Sequence, residues 1–303
     1  MFDSLYPTMQ WANHRSAWPH AQHSQFVQAG GIQWHVQIMG QGPVLLLLHG
    51  TGSGSFSWRG LMPLLQKHFQ VIAPDLPGHA FTSRGPEGSL SLQGMSEGLR
   101  ALMLQLNVTP SVIGGHSAGA AIAANMLRQQ RSLSQTSLIG FNPAWLPLPG
   151  LPSLIFRPAA KLAAINPISA WATAKLASKP AMIEKSISQT GSQLDAEGLA
   201  LYQSVFSHSG HVHSVLNMMA AWQLNTLSSA LSHIKNDVAI LVGTQDQTVP
   251  PKMAQEACSL MPQARLYEQE GLGHLAHEED PEGTAQLILK ICESILRQNS
   301  LRD

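Results

Sequence analysis

Short apolar segments alternate with helix-like segments along most of this 303-residue chain, and that alternation constrains the fold more than any other feature. Residues 43–48 (PVLLLL) are apolar at every position, as expected of a strand that helices cover on both faces. Alternating strands and helices predict an α/β protein with a mostly parallel sheet. Further strands are predicted at 69–73, 111–115, 137–141, 238–242 and 264–267, and helices near 58–67, 91–106, 117–130, 251–260 and 282–298.

Two parts of the chain depart from the alternation. Residues 26–38 contain two strand-like runs around Gly30 and Gly31, which predict a β-hairpin. Between residues 142 and 234, seven prolines interrupt short helical pieces and no strand-like run occurs. The predicted organisation is a leader at 1–24, a core formed by 25–141 and 235–303, and a helical cap inserted at 142–234.

Charge is scarce in the predicted cap, since no Asp, Glu, Lys or Arg occurs at 132–156 or at 198–234. A helical insertion this poor in charge either packs densely on the sheet or faces an apolar substrate, partner or membrane surface. Both interpretations remain open at this point. Over the whole chain, 18 basic and 18 acidic side chains balance, which argues against binding to nucleic acid.

The sequence also bears on the compartment. Cys258 and Cys292 lie in helix-like stretches, where reduced, packed thiols are expected and a reducing compartment is favoured. The first 20 residues lack the basic start and apolar centre of a signal peptide, and no apolar run is long enough to cross a bilayer. An intracellular protein without a membrane span is therefore expected.

A candidate nucleophile lies in the segment GHSAG at residues 115–119, which matches the G-x-S-x-G pattern. Ser117 follows the predicted strand SVIGG and precedes a helix of small residues, so it is expected on a tight turn between them. A second match surrounds Ser96. That serine lies within a predicted helix with no strand before it, and a structural role is expected for it.

A serine nucleophile needs a base and a carboxylate that orients the base. Asp246 follows the apolar strand VAILVG, and His274 follows the last predicted strand in the segment GLGHLAHEED. Both therefore belong to the ends of strands, in the chain order Ser, Asp, His. His277 is the rival base at the same turn, and Asp75 also follows a strand but precedes Ser117 and is expected to be a turn carboxylate.

The glycine-rich loop HGTGSG at residues 49–54 is expected to supply an oxyanion hole. The predicted donors are the backbone N–H groups of Thr51, with Gly52 as the alternative, and of Ala118. The loop lacks the lysine of a phosphate-binding loop and the spacing of a dinucleotide-binding loop. His274 and His277 have no third ligand at a suitable spacing, so neither a metal nor a cofactor is expected.

Other residues are candidates for substrate contacts. Trp58 and Arg59 begin the helix after the glycine loop and either line the rim of the site or pack at the helix start. His116 precedes the nucleophile and is placed in the same group. Met218 and Trp222, with Met219, offer an adaptable apolar surface, although their helical spacing also fits plain core.

Taken in order, the segments HGTGSG, DLPGH, GHSAG, GTQDQTVPP and GLGH resemble the α/β-hydrolase superfamily over roughly residues 25–298. Longer stretches, including WHVQIMGQGPVLLLLHGTG and HVHSVLNMMAAW, resemble one branch, the magnesium-chelatase accessory proteins of bacteriochlorophyll biosynthesis. The resemblance implies the α/β-hydrolase fold with a cap. It also implies a cytoplasmic protein, able to dock peripherally at a membrane, that acts near magnesium insertion into protoporphyrin.

Two functional hypotheses follow. In the first, the protein is a serine hydrolase of an apolar ester-like substrate, with Ser117, His274 and Asp246 as its triad. In the second, it is a non-catalytic accessory protein that binds a tetrapyrrole or magnesium-chelatase subunits. Under that hypothesis one histidine among His208, His211 and His213 either ligates a porphyrin-bound magnesium or is an ordinary hydrogen-bonded loop residue.

Overall fold

The structure is a computed structural model and describes residues 8–147, 167–177 and 179–299. The strands are β1 (Ser24–Ala29), β2 (Ile32–Met39), β3 (Val44–Leu48), β4 (Gln70–Pro74), β5 (Val112–His116), β6 (Ser137–Phe141), β7 (Val238–Gly243) and β8 (Ala264–Gln269). They form one sheet in the order β1-β2-β4-β3-β5-β6-β7-β8. β2 is antiparallel to β1 and β4, and the other neighbours are parallel, which confirms the predicted mostly parallel sheet.

The described α-helices connect these strands or belong to the predicted cap. They are α1 (Trp11–His14), α2 (Leu61–Leu65), α3 (Leu92–Leu106), α4 (Ala118–Gln129), α5 (Pro167–Ala177), α6 (Pro180–Ser188), α7 (Ala196–Phe206), α8 (Ser209–Ala221), α9 (Asn225–Ser228), α10 (Pro251–Leu260), α11 (Ala276–Glu279) and α12 (Pro281–Asn299). Short 3-10 helices occur at Ala21–His23, Ser55–Trp58, Arg131–Leu133 and Leu231–His233. The predicted helix near 58–67 is thus divided, with Gly60 between its two parts.

The central strands are covered on both faces, as the apolar run at 43–48 predicts. Leu46 and Leu48 of β3 pack into a cluster with residues of α3, α4 and α10. Leu45 and Leu47 point the other way, into a cluster with residues of α2 and α12. Because side chains alternate along a strand, a strand covered on both faces must be apolar at every position.

The predicted hairpin is present as well. Ala29 of β1 pairs with Ile32 of β2, so Gly30 and Gly31 form a two-residue turn. Their φ angles of 61° and 74° lie in the left-handed region that such hairpin turns require and that glycine adopts without strain. This turn fixes the register of the antiparallel edge of the sheet.

In the part of the predicted cap, 142–234, that the structure describes, the regular secondary structure is helical and no residue belongs to a strand. Residues 148–166 and 178 of the predicted cap, and residues 1–7 of the predicted leader, lie outside the described residues. Five residues of α8 between Val212 and Met218 are buried, so dense packing explains the lack of charge along this helix. No described helix is both long enough and apolar enough to span a bilayer.

The described part of the leader packs between the sheet and the cap. Met9 and Trp18 are buried in one cluster with Phe56 and Phe81 of the core and with apolar residues of α6 and α7. The ring centroid of Trp18 lies 4.6 Å from that of Phe81, in an edge-to-face arrangement. Within residues 8–24, Met9 and Trp18 are thus buried at the junction of the core and the predicted cap.

Candidate active site

Ser117 lies on the turn between β5 and α4, as predicted. Its φ of 51° and ψ of −113° are unusual for a residue with a side chain, and such strain is often found at functional sites. The backbone is held there because the Ser117 N–H donates to the Phe141 carbonyl, 2.9 Å away, at the end of the neighbouring strand β6. The serine residue is half-buried.

The glycines on either side of Ser117 allow this turn to pack closely. A Cβ atom on Gly119 would overlap the carbonyl oxygens of Leu48 and His49, where β3 ends. A Cβ atom on Gly115 would lie 2.5 Å from the backbone nitrogen of Ala120. Close backbone approach therefore explains both glycines of the G-x-S-x-G pattern.

The structure joins the predicted base and acid. His274 Nδ1 lies 2.7 Å from Asp246 Oδ2, and both side chains are buried. Because a carboxylate only accepts hydrogen bonds, the proton on this imidazole lies at Nδ1, which leaves the lone pair at Nε2 to accept a proton. This is the tautomer that a general base next to a serine requires.

Asp246 receives three further hydrogen bonds. The backbone N–H groups of Thr248 and Val249 donate to Oδ1 at 2.7 and 2.9 Å, and Asn142 Nδ2 donates to Oδ2 at 2.7 Å. These donors fix the orientation of the buried carboxylate. The sequence analysis missed Asn142, although it directly follows the predicted strand at 137–141 and lies between the strands that carry Ser117 and Asp246.

His116, the residue before Ser117, contacts His274. His116 Nε2 donates to the carbonyl oxygen of His274 at 2.9 Å, and the two rings are 4.7 Å apart. Among the described residues, no hydrogen bond joins the Ser117 hydroxyl directly to the His274 ring. In proteins without substrate, catalytic hydrogen bonds are often long or poorly aligned and tighten only in the complex.

Residues 49–54, here called the oxyanion loop, lie beside the serine, since a Cβ atom on Gly50 would be 3.3 Å from Ser117 Cβ. His49 Nε2 accepts from the Leu76 N–H, so its Nδ1 carries the proton and donates to the Gly50 carbonyl at 2.8 Å. In a trans peptide the N–H points opposite to the C=O. The Thr51 N–H is therefore directed away from His49.

Ala118 is the first residue of α4, and an N–H at this position has no acceptor within its own helix. The partial positive charge of a helix N-terminus also favours an anion there. The assignment of Thr51 and Ala118 as the two oxyanion-hole donors stays a prediction.

Trp58 and His116 do not line an open rim. Trp58 is fully buried and its ring stacks against His277 and Phe141, at centroid distances of 4.5 and 5.4 Å. Its burial supports the alternative interpretation, a packing role, although Trp58 is the last residue of the 3-10 helix Ser55–Trp58 and does not begin a helix. His116 is 3% exposed, and its side chain holds the backbone of His274 in place through the hydrogen bond to the His274 carbonyl.

His277 is not the partner of Asp246. It lies at the start of α11, buried against Trp58 and His116, and burial lowers its pKa to about 3. The pKa of His116 is also held well below its ordinary value, mainly by burial. Both rings are therefore neutral at neutral pH. The described residues contain no cluster of side chains suited to a metal ion.

The cap candidates are mostly internal. Met218 is 1% exposed and belongs to the main core cluster, against which the half-buried Trp222 packs. His211 accepts from the Ala80 N–H at 3.1 Å and donates to the Gly52 carbonyl at 3.2 Å. His213 is buried and bonded to Asn217. Both histidines are hydrogen-bonded, but they lie in helix α8 and not in a loop.

Two further candidates have structural roles. Asp75 is buried, lies 2.8 Å from His35 Nδ1 and accepts from the Ser55 N–H, which confirms the expected turn carboxylate. Ser96 is buried in α3, where it donates to the Leu92 carbonyl and accepts from Asn125. This second G-x-S-x-G match is therefore structural, as predicted from its position in a helix.

The parallel sheet, with its serine turn after β5 and its paired acid and base after β7 and β8, points to one class of protein. The model of the alpha/beta hydrolase family matches residues 45–287, and the chain belongs to that family. Within it, the magnesium-chelatase 30 kDa subunit of Rhodobacter capsulatus is 35% identical to this chain over 274 residues. That match covers 90% of this chain and 95% of the relative, and the resemblance inferred from sequence is confirmed.

Solved structures agree on the fold. A thermophilic esterase from Thermogutta terrifontis superposes with a TM-score of 0.72 at 22% identity, over 89% of this chain and 99% of the esterase. The enol-lactonase from Burkholderia xenovorans LB400 gives 0.72 at 19% identity, over 89% of this chain and all of that one. At this level of identity the likeness concerns the fold alone.

Proposed function

We propose that the protein is a serine hydrolase that cleaves an apolar ester-like substrate. Ser117 is the nucleophile, His274 the general base and Asp246 the residue that orients the base. The observation that carries the proposal is the 2.7 Å contact between His274 Nδ1 and Asp246 Oδ2, which leaves His274 Nε2 without a proton. The strained Ser117 turn is adjacent, since the preceding residue, His116, hydrogen-bonds to the His274 carbonyl.

The reaction proceeds in two halves. Ser117 Oγ attacks the acyl carbon while His274 Nε2 takes its proton, and the former carbonyl oxygen becomes an oxyanion that the N–H groups of Thr51 and Ala118 stabilise. Collapse expels the leaving alcohol, which takes the proton from His274. Water then attacks the acyl-enzyme with His274 as base, releasing the acid and restoring the serine.

An apolar substrate fits the part of the cap that meets the oxyanion loop. A Cβ atom on Gly52 would lie 2.7 Å from Phe206 Cζ, so this aromatic ring closes over the loop. Residues 198–234, which include Phe206, contain no formal charge. A charged substrate would have no residue of opposite charge to pair with in this segment, whereas burying an apolar group away from water is favourable.

Covalent labelling tests the proposal. A fluorophosphonate probe should label the wild-type protein and the Ser96→Ala variant, because Ser96 lies in the second G-x-S-x-G match without a base. Ser117→Ala should not label, since it lacks the attacking oxygen. Gel fluorescence and mass spectrometry of the labelled peptide measure both, and a folded wild-type protein that never labels would refute hydrolase activity.

The relative in Rhodobacter capsulatus supports a second candidate function, an accessory protein that binds a tetrapyrrole or magnesium-chelatase subunits without catalysis. The Ser117→Ala variant separates the two candidates. In a host that needs this protein for bacteriochlorophyll, the accessory function predicts normal pigment with the variant. Loss of pigment, with the variant folded and abundant, would favour the hydrolase.

A further inference from the structure

A buried polar chain connects the oxyanion loop, the cap and the segment that follows His274. Ser53 Oγ lies 3.1 Å from the Tyr202 hydroxyl, and Tyr202 donates to Glu278 Oε1 at 2.7 Å. Arg59 Nη1 donates to Glu278 Oε2 at 2.5 Å. The Glu278 side chain is fully buried, and Tyr202 and Ser53 are 5% and 2% exposed. Water therefore competes little for these contacts.

Arg59 also holds the first turn of α7. Its Nη2 donates to Asp195 at 3.0 Å, and Asp195 caps α7 by accepting from the Gly198 N–H at 2.7 Å. A Cβ atom on Gly198 would lie 2.5 Å from Arg59 Nη2, so only glycine leaves room for this approach. The helix is thus fixed at its N-terminus by Arg59 and two turns later by the Tyr202 contact.

The segment before α7 is bound to the catalytic loops themselves. The Thr190 carbonyl accepts from the N–H groups of His274 and Gln247, at 3.3 and 3.1 Å. Ser192 Oγ accepts from the Leu275 N–H at 2.8 Å. Any movement of α7 away from the core must therefore disturb the loops that carry the base and the acid.

The charged and titratable groups around Glu278 come from three places. Arg59, which follows the 3-10 helix at Ser55–Trp58, and Tyr202 of α7 both contact the Glu278 carboxylate directly. Asp195 pairs with Arg59 and is linked to Glu278 through that shared partner. The neighbouring His277 is neutral. Burial raises the pKa of Glu278 to about 7, although Arg59 and Tyr202 oppose that shift. The pKa of Tyr202 is raised by burial and then by Glu278.

We propose that Tyr202 and Glu278 are positioning residues that fix the oxyanion loop and the His274 loop against cap helix α7. The charge on Glu278 then controls how readily the cap opens. The expected effect on catalysis rests on the proposed function. The contacts of Ser53, Tyr202, Glu278 and Arg59 do not depend on whether Ser117 is a nucleophile.

The direction of the pH effect follows from linkage. Opening the cap exposes Glu278 and returns its carboxyl towards the ordinary pKa of 4.5, so the closed cap binds the proton more tightly. Closure is therefore favoured at low pH and lost as the pH rises towards 7. With values of about 7 and 4.5, the opening equilibrium increases about tenfold between pH 6 and pH 8.

Amide hydrogen exchange tests this link without any substrate. After correction for the intrinsic effect of pH, protection of residues 190–206 should fall about tenfold from pH 6 to pH 8 in the wild-type protein. Glu278→Gln removes the titrating group and should show no such fall. Glu197→Gln changes an exposed carboxyl on the same helix and should behave as wild type. Equal pH dependence in wild type and Glu278→Gln would overturn the proposal.

A kinetic experiment tests the effect on the site. Tyr202→Phe keeps the ring but loses both hydrogen bonds, and at pH 8 it should slow fluorophosphonate labelling by about 10- to 100-fold while reaching full labelling at the end. A labelling rate equal to wild type would refute the positioning role. If the wild-type protein never labels, the hydrolase proposal fails, and the exchange experiment still decides whether Glu278 governs the cap.

Discussion

Histidines of identical chemistry have different properties in this protein because their surroundings differ. His274 has a carboxylate at 2.7 Å, which orients its ring. His277, three residues later, has no polar partner among the described residues and is held neutral by burial. Sequence position alone suggests either residue as the base, and only the partner of each ring separates them.

Asp75 provides a residue-scale prediction. Burial opposes its ionisation, but His35 and the Ser55 N–H outweigh burial and lower its pKa to about 2. A depressed carboxyl pKa stabilises the fold above the ordinary 3.8 and loses that effect as the pH falls through 2. Asp75→Asn should therefore reduce the free energy of unfolding by about 2 kcal/mol at pH 7 and by about half as much at pH 3.

Urea denaturation at both pH values measures this difference. Asp237→Asn, at the start of β7 and outside any side-chain ion pair among the described residues, is the control and should change little at either pH. An equal loss at pH 7 and pH 3 would show that Asp75 acts through packing alone and not through its charge.

At the scale of elements, the site depends on how closely the turn after β5 approaches the end of β3. The first turn of α4 lies on the Leu48 and His49 carbonyls, and the glycine loop after β3 lies beside Ser117, since a Cβ atom on Gly50 would be 3.3 Å from Ser117 Cβ. The sheet therefore supplies the site's geometry, and the loops supply the reacting groups.

Gly119→Ala tests this approach. The added methyl group would overlap two backbone carbonyls, so α4 must shift, and we expect a loss of about 1 to 3 kcal/mol in stability with slower probe labelling. Gln129→Ala, at the exposed end of the same helix, is the matched control and should retain both properties. Thermal denaturation and labelling rates measure the two effects, and an unchanged Gly119→Ala protein would contradict the close-packing argument.

At the scale of the whole molecule, leader, core and cap share one apolar cluster. Trp18 of the leader packs on Phe56 and Phe81, and the same cluster includes Leu201 and Val205 of α7. In the predicted cap, the uncharged helix α8 packs against the core, whereas most described residues of α5 and α6 are exposed. The leader and the predicted cap are thus expected to unfold together.

Trp18→Ala should reduce the free energy of unfolding by about 3 to 5 kcal/mol, because it leaves a large cavity at the junction. Trp171→Ala, at a tryptophan of α5 that is 56% exposed, is the control and should change stability by less than about 0.5 kcal/mol. Chemical denaturation followed by circular dichroism compares them, and equal losses would contradict a shared junction.

The sequence by itself determined the sheet, because a strand covered on both faces must be apolar throughout, and every strand predicted from such runs is present. It also determined the serine turn, since a G-x-S-x-G segment directly after an apolar strand is a local pattern, and Gly115 is required by the backbone of the nearby Ala120. Only the tertiary structure decided that Trp58 is buried, that Asn142 binds Asp246, and that Tyr202 meets Glu278. The Tyr202–Glu278 and Asn142–Asp246 contacts join residues 76 and 104 positions apart in the chain, and the burial of Trp58 depends on the packing of distant elements. A local sequence pattern predicts neither kind of property.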